Sequence, residues 1–269
     1  MPQESPQASP QPSRLRRHFR NAAVTAGALV ALVFLAFVPP VDRLLGGLVA
    51  LSDDGAAVAD YPDWLRAQAI KHRWGYVDYA QMPPCLKQAI VSVEDKRFFL
   101  HGGVDPLALL RVLVEDAQND RVDHGGSTIT LQLARMILHV PRKQPSASAK
   151  LQSELRIMLA GLIVEHDFSK PKILELYLNG VYLGRRATGV QAAAAAYFDM
   201  PLQQLDRAQC IYIAGLPNDP ARFGADPSGD RAMARYRHVI ATMQRNGYLT
   251  DRQAVALATD PLFSRLTEK

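Results

Sequence analysis

Two acidic residues and a histidine lie close together in the stretch from residue 93 to residue 105. Glu94 and Asp95 come at the end of an apolar run, and a His-Gly-Gly turn that starts at His101 leads on to Asp105. An acidic pair at the end of an apolar helix is costly for a purely structural protein. It suits a protein that moves a proton with a carboxylate.

Glu94 has apolar neighbours if this stretch is helical. Ile90 and Phe98 would then lie one turn away on either side. Apolar surroundings disfavour a charged carboxylate, which is one way to prepare a general acid or base. A structural role, in which the carboxylates pair with Lys96 or Arg97, remains equally open from this stretch alone.

A second stretch, at 124–136, places two glycines before a helix that begins near Ser127, the expected N-cap. The polar face of this helix carries Thr128, Gln132 and Arg135. A glycine loop that leads into a helix N-terminus with an arginine nearby predicts an anion site, most naturally for phosphate. The alternative is an ordinary capped helix with a solvated polar face.

A third stretch, from Lys150 to Glu165, contains charged residues followed by an apolar segment. Pairing of Lys150 with Glu154 across one helical turn would make it a surface charge cluster, which is the favoured interpretation of this stretch by itself.

Composition excludes several classes of protein. The net charge is +5 over 269 residues, but no run of lysine and arginine interleaved with aromatic residues indicates nucleic acid. The sequence contains no HExxH motif, so a zinc site is not expected. Cys85 and Cys210 have no CxxC spacing, and two separate buried thiols are favoured over a disulfide.

The N-terminal region predicts a membrane anchor. An uncharged apolar run at 22–38 follows four arginines, and as a helix it would span roughly 25 Å. The arginines would stay on the cytoplasmic side, so the rest of the chain would be exported. A cleavable signal peptide is the competing interpretation, although no clear small-x-small cleavage site follows.

The remainder predicts an all-α domain. Apolar periodicity indicates helices from Pro84 onward and at 105–118, 127–140, 148–166, 170–178, 189–198, 205–216 and 230–246, whereas 41–80 carries no clear signal. We therefore expect a basic disordered tail at 1–20, the anchor at 21–40, a linker and start of the exported domain at 41–80, and the main domain at 81–260.

These stretches together resemble the peptidoglycan glycosyltransferases of glycosyltransferase family fifty-one, in their monofunctional form. The first family motif is Glu-Asp-x-x-Phe-x-x-His-x-Gly-x-Asp, and the chain matches it at Glu94, Asp95, Phe98, His101, Gly103 and Asp105. The second motif is matched at 125–130 and at Gln132, and the helix motif Ile-Leu-Glu-Leu-Tyr-Leu-Asn at 173–179. The resemblance covers about 175 residues in order.

The resemblance implies a lysozyme-like helical fold and the polymerisation of lipid II into glycan strands, with loss of undecaprenyl diphosphate. Lipid II is a disaccharide-pentapeptide linked to that diphosphate, so the resemblance also implies a substrate with a peptide stem. Glu94 would be the general base and Glu154 the candidate second carboxylate. Substrate binding would fall to Asp95, Phe98, His101, Ser127, Thr128, Gln132, Arg135 and Lys150. No metal-binding residues are implied, and a divalent cation, Mg²⁺ or Mn²⁺, at the diphosphate is left open.

The implied partners are lipid II, the growing lipid-linked strand, the membrane and, as a further option, penicillin-binding or division proteins, with no nucleic acid. The implied location is the cytoplasmic membrane, with the catalytic domain on its outer face. A non-catalytic module that binds lipid II or a synthase is the alternative function.

The chain departs from the family motifs at four positions, and three of them, Leu131, Met136 and Ile157, motivate that alternative. Leu131 and Met136 replace a glutamine and an asparagine of the second motif, and Arg135 replaces its lysine. Ile157 stands where the third motif has its glutamate, and Glu154 lies three residues earlier. A local shift in register would let Glu154 serve in that role; without such a shift the second carboxylate is absent.

Overall fold

Helices account for all the regular secondary structure that the computed structural model describes, which covers residues 53–105, 127–141 and 143–266. We number the α-helices in chain order: α1 Asp53–His72, α2 Pro84–Glu94, α3 Ile129–Ile137, α4 Ala147–Asp167, α5 Lys170–Gly180, α6 Val190–Phe198, α7 Arg207–Gly215, α8 Pro220–Ala225, α9 Asp230–Arg245 and α10 Asp251–Ala258. Short 3₁₀ turns, such as Tyr79–Gln81 and Phe98–Leu100, join some of them. The predicted all-α class is therefore confirmed for this part of the chain.

Most of the predicted helices are present within a few residues of their expected ends. The helix expected at 105–118 and the anchor expected at 22–38 lie outside the described residues. Within those residues, no helix has the length and apolar character needed to cross a bilayer. The expected domain boundaries remain predictions.

Helix α2 carries Glu94 and is held on its apolar side. Pro84 occupies its first turn, where a missing N–H leaves no intrahelical hydrogen bond unmade. Leu86, Ala89 and Ile90 are fully buried, and the helix packs mainly against α7 and α9. The helix ends at Glu94 because Asp95 leaves the helical conformation, with φ −160° and ψ 78°.

Helix α5 lies in the core and packs against α3 and α4. Every residue from Ile173 to Asn179 is buried, including the polar pair Glu175 and Asn179. Two hydrogen bonds join Asn179 to Val77: its Oδ1 accepts from the N–H at 2.9 Å, and its Nδ2 donates to the C=O at 2.9 Å. The helix motif at 173–179 therefore has two roles: its apolar residues pack in the core, and Asn179 holds the segment around Val77, which precedes α2.

Gly189, just before α6, meets a requirement that only glycine satisfies here. Its φ is +80°, and an added Cβ would lie 2.6 Å from the carbonyl oxygen of Asn179. Any larger residue would push α6 away from α5.

A disulfide joins Cys85 in the first turn of α2 to Cys210 in α7. The expectation of two separate thiols was wrong. The sulfur atoms meet because α2 and α7 are packed neighbours, with the two Cα atoms 5.9 Å apart. A separation of 125 residues in the sequence gave no sign of that proximity. The bond fastens the helix that carries Glu94 to the core.

Candidate active site

The carboxylate of Glu94 lies where four helices meet. Its Oε2 accepts a hydrogen bond at 3.0 Å from Nε2 of Gln132 on α3, whose Oε1 accepts one at 3.1 Å from the hydroxyl of Tyr177 on α5. Its Oε1 lies 3.2 Å from Nη2 of Arg235 on α9. The side chain remains 13% exposed, so the carboxylate is held in place and still reaches solvent.

Arg235 is a site residue that the sequence reasoning missed. Its Nε donates to the carbonyl oxygen of Gly215 at 3.2 Å, which aims the guanidinium at Glu94. Burial lowers the pKa of this guanidinium, and the adjacent Glu94 carboxylate opposes that shift. The sequence did offer one sign of a special role, because this arginine lies between Ala232 and Val239, which are buried in the helical pattern. It did not indicate the partner, because 141 residues separate Arg235 from Glu94.

Asp95 fastens the loop after α2 to the start of α3. His101 Nε2 donates to its carboxylate at 3.0 Å, and the backbone N–H of Ile129 donates to its Oδ2 at 3.1 Å. Both side chains are buried. Neither acidic residue pairs with Lys96 or Arg97, so that structural alternative is wrong; Nε of Arg97 lies 3.3 Å from Asp105 instead.

Phe98, another predicted substrate-binding residue, is fully buried, and Nζ of Lys170 lies 4.5 Å from the centroid of its ring. Asp95, Phe98 and His101 therefore shape the loop that follows Glu94. Their direct contact with substrate remains a prediction.

The N-terminus of α3 is capped by Thr128 and not by Ser127. The Thr128 hydroxyl oxygen accepts from the N–H of Leu131 at 3.2 Å and donates to the carbonyl oxygen of Gly103 at 2.5 Å. Ser127 is exposed one residue earlier. Two N–H groups of this terminus are thus engaged by Asp95 and Thr128, so a bound anion at this end of the site would rely chiefly on Arg135.

Arg135 and Glu154 meet across α3 and α4. Nη2 of Arg135 donates to Oε1 of Glu154 at 2.7 Å, with 23% and 44% of the two side chains exposed. Glu154 thus pairs with α3, and the expected pairing with Lys150 was wrong. Lys150 is exposed on the first turn of α4.

Ile157 is a packing residue. It is 2% exposed and belongs to a small apolar cluster with Ala134 of α3 and Ala160 of α4. The position at which the family has its second glutamate is therefore occupied by an apolar residue that packs between α3 and α4. The carboxylate that faces Arg135 is that of Glu154.

We expect Ile157→Glu to destabilise the protein and not to restore a second carboxylate. An uncompensated charge in an apolar contact lowers the free energy of unfolding by about 3–5 kcal/mol. Thermal or denaturant unfolding measures this loss, with Ile157→Leu as the volume-matched control. A stable Ile157→Glu variant with higher activity would contradict this account.

The described residues do not fit a divalent cation at this site. They bring together no group of three His, Cys, Asp or Glu side chains suited to a metal. Glu154 is paired with an arginine, and Ile157 offers no donor.

A partly exposed carboxylate held between an amide and a guanidinium group is suited to general acid or base chemistry. A family model described as Transglycosylase matches residues 65–244. The chain therefore belongs to the transglycosylase family, as its motifs indicated.

Two relatives illustrate the match. Penicillin-binding protein 1A of Escherichia coli is 37% identical over 75% of this chain and 22% of its own length. A predicted transglycosylase of Cupriavidus necator is 32% identical over 81% of this chain and 91% of its own. The chain thus spans about a quarter of the penicillin-binding proteins that it matches, but nearly all of the shorter relative.

A crystal structure of penicillin-binding protein 1A from Haemophilus influenzae overlaps 49% of this chain and 16% of its own, with 26% identity and a TM-score of 0.32. The family assignment rests on the sequence matches and not on this overlap.

Proposed function

We propose that the protein polymerises lipid II into peptidoglycan glycan strands, with Glu94 as the general base. The observation that carries the proposal is the Glu94 carboxylate, held by Gln132 and Arg235 within a transglycosylase domain. A general base must be fixed and must reach the proton that it removes. The hydrogen bonds fix Glu94, and its partly exposed side chain is accessible to a hydroxyl of an incoming substrate, which supports this role.

The proposed step is a direct displacement. Glu94 takes the proton from the 4-hydroxyl of the acceptor sugar, and that oxygen bonds to the anomeric carbon of the lipid-linked donor. The bond from that carbon to the diphosphate oxygen breaks, and the diphosphate leaves with the electron pair. Attack from the opposite face inverts the anomeric configuration.

Gln132 and Arg235 would position the base and compensate its charge. Two donors from different helices fix the orientation of the carboxylate. Less conformational entropy of this side chain is then lost on reaching the transition state. A positioned base contributes about 10²–10⁴ in rate.

Arg135 would hold the leaving diphosphate. It lies three residues after Gln132 on α3, which places the two side chains on the same face of that helix, and Gln132 itself contacts Glu94. An arginine fork suits phosphate oxygens. Ser127, Thr128 and Lys150 are further candidates, of which Ser127 and Lys150 are exposed and Thr128 is buried.

We expect Glu154→Gln to lower the polymerisation rate at most about tenfold, less than a lost general base would. Glutamine keeps an oxygen that can accept from Arg135, and a partly exposed ion pair contributes only about 0–1 kcal/mol. Polymerisation of lipid II by the purified variant measures the effect. A loss as large as that of Glu94→Gln would instead identify Glu154 as the second catalytic carboxylate.

Location at the outer face of the cytoplasmic membrane is part of the proposal. The disulfide supports it, because disulfides persist in oxidising compartments outside the cytoplasm. Association with penicillin-binding or division proteins remains a prediction.

The direct test is polymer formation from purified lipid II in detergent, followed by chromatography or gel analysis of the glycan. Polymer from the wild-type protein supports the proposal. The alternative is a non-catalytic module that binds lipid II, which is favoured by Ile157 in place of the second glutamate and by the pairing of Arg135 with Glu154. It predicts lipid II binding without product.

A further inference from the structure

One face of α9 carries a row of basic side chains. Arg231, Arg235, His238 and Arg245 follow one another at spacings of four, three and seven residues. At about 100° per residue these positions fall within roughly 80° of arc, so they form a single stripe along the helix. The opposite face is apolar and buried and includes Tyr236, Val239 and Met243. We call the four residues the basic stripe.

The basic stripe lies beside the candidate active site. Arg235 contacts Glu94, as described above. At the C-terminal end of α9, Nδ2 of Asn246 donates to the carbonyl oxygen of Ser92 at 3.1 Å and lies 2.9 Å from its hydroxyl. Because Ser92 is two residues before Glu94, these contacts hold the second half of α9 alongside the end of α2.

The stripe is positive, and apart from Glu94 beside Arg235 no carboxylate of the described residues pairs with it. Within the described parts of the chain, no carboxylate lies within 4 Å of the basic nitrogens of Arg231, His238 or Arg245; Arg245 instead donates to the Thr242 hydroxyl at 2.8 Å. Burial together with the positive charges of Arg235 and Arg245 lowers the pKa of His238, so the positive charge of the stripe at neutral pH is that of its three arginines, and His238 serves there as a hydrogen-bonding group. Exposed like charges in a row repel one another, and an anionic ligand would relieve that repulsion.

Two helices approach Glu94 from different sides. Oε2 faces α3, which carries Arg135, whereas Oε1 faces α9 and the basic stripe. The diphosphate is assigned above to the α3 side. The stripe therefore lies on a different side of Glu94 from the one proposed for the diphosphate.

We propose that the basic stripe binds the carboxylates of the peptide stem attached to the sugar that reacts at Glu94; this inference rests on the proposed function. Arg235 and Arg245 are ten residues apart, which is about 15 Å along the helix. An extended peptide of five residues spans about 17 Å. Arginine side chains bind carboxylates through paired hydrogen bonds, and peptide stems carry side-chain and terminal carboxylates.

The test is an equilibrium measurement with two probes: fluorescent lipid II in detergent, and the soluble disaccharide-pentapeptide without lipid or diphosphate. Each is prepared with a native stem and with its stem carboxylates amidated. The variants are His238→Gln and Arg245→Gln, singly and together. Arg207→Gln is the matched control, since Arg207 is exposed at the far end of α7, about 12 Å along that helix from Gly215.

We expect Arg245→Gln to raise Kd for the native-stem probes by about two- to fivefold, and the double variant to raise it further. Kd for the amidated probes should not change, and Arg207→Gln should leave Kd unchanged for every probe. Added salt should weaken wild-type binding of the native stem in particular.

Equal effects on native and amidated stems, no effect on either, or no wild-type binding of either probe would overturn the assignment. Weakening of binding to phosphatidylglycerol vesicles, with stem binding unchanged, would assign the stripe to lipid headgroups instead. Because these are binding measurements, a protein that binds native stems through the stripe but forms no polymer would contradict the proposed function and leave only the assignment of the stripe to stem carboxylates.

Discussion

Glu94→Gln should lower the rate of lipid II polymerisation by about 10²–10⁴-fold, which is the contribution of a positioned general base. The amide has nearly the same shape, and its oxygen can still accept from Gln132. It cannot take a proton from the acceptor hydroxyl at neutral pH. Initial rates with wild-type and variant protein, at matched concentrations of lipid II, measure the loss.

The variant must be shown to be folded, because Glu94 also pairs with Arg235. Thermal unfolding should show a small change, since most of the hydrogen bonds at the site remain. Asp60→Asn, which removes an exposed carboxylate on α1, is the control for a change of charge and should keep wild-type activity. A folded Glu94→Gln variant whose rate is within about tenfold of wild type would remove Glu94 from the role of base.

Loss of the Cys85–Cys210 disulfide should have a large effect on stability. The bond closes a loop of 125 residues, and the chain-entropy model assigns about 5 kcal/mol to a loop of this size. We expect the double variant Cys85→Ala/Cys210→Ala to lose about 3–5 kcal/mol of the free energy of unfolding. Denaturant unfolding with and without reductant measures the loss.

Measurements with reductant distinguish the contribution of the covalent bond to stability from that of the packing of the two side chains. The wild-type protein should lose stability in reductant, whereas the double variant should be unaffected by it. Equal midpoints for oxidised and reduced wild-type protein would show that the bond contributes nothing measurable.

The sequence predicted the helices whose apolar spacing is regular. Helix α2 was expected because Leu86, Ile90 and Val93 repeat at spacings of four and three. Helix α1 was missed, although its buried residues Val58, Tyr61, Leu65 and Ala69 also have helical spacing. Pro62 lies inside it and acidic residues surround the apolar ones, which hid the pattern.

The site was predicted only as far as local motifs reach. Glu94, Gln132 and Arg135 stand in family motifs, and the structure brings Gln132 to Glu94. The contact with Arg235 and the disulfide join positions more than a hundred residues apart. Spacing along a chain carries no geometric information over such separations. The N-cap was misplaced by one residue because Ser127 and Thr128 are both good capping residues.

The hydrogen bond between Thr128 and Gly103 bears on how far the length of the stretch between them can change. With the bond from Asp95 to Ile129, it ties together the two points where the stretch 106–126 begins and ends. Glu94 and Gln132 are therefore held at their distance by contacts that do not involve that stretch. Extending a stretch whose ends are already joined adds little closure entropy, about 0.6 kcal/mol for each doubling of its length. A change in the length of this stretch before Gly125 should therefore leave both hydrogen bonds, and with them the placement of Glu94 and Gln132, intact.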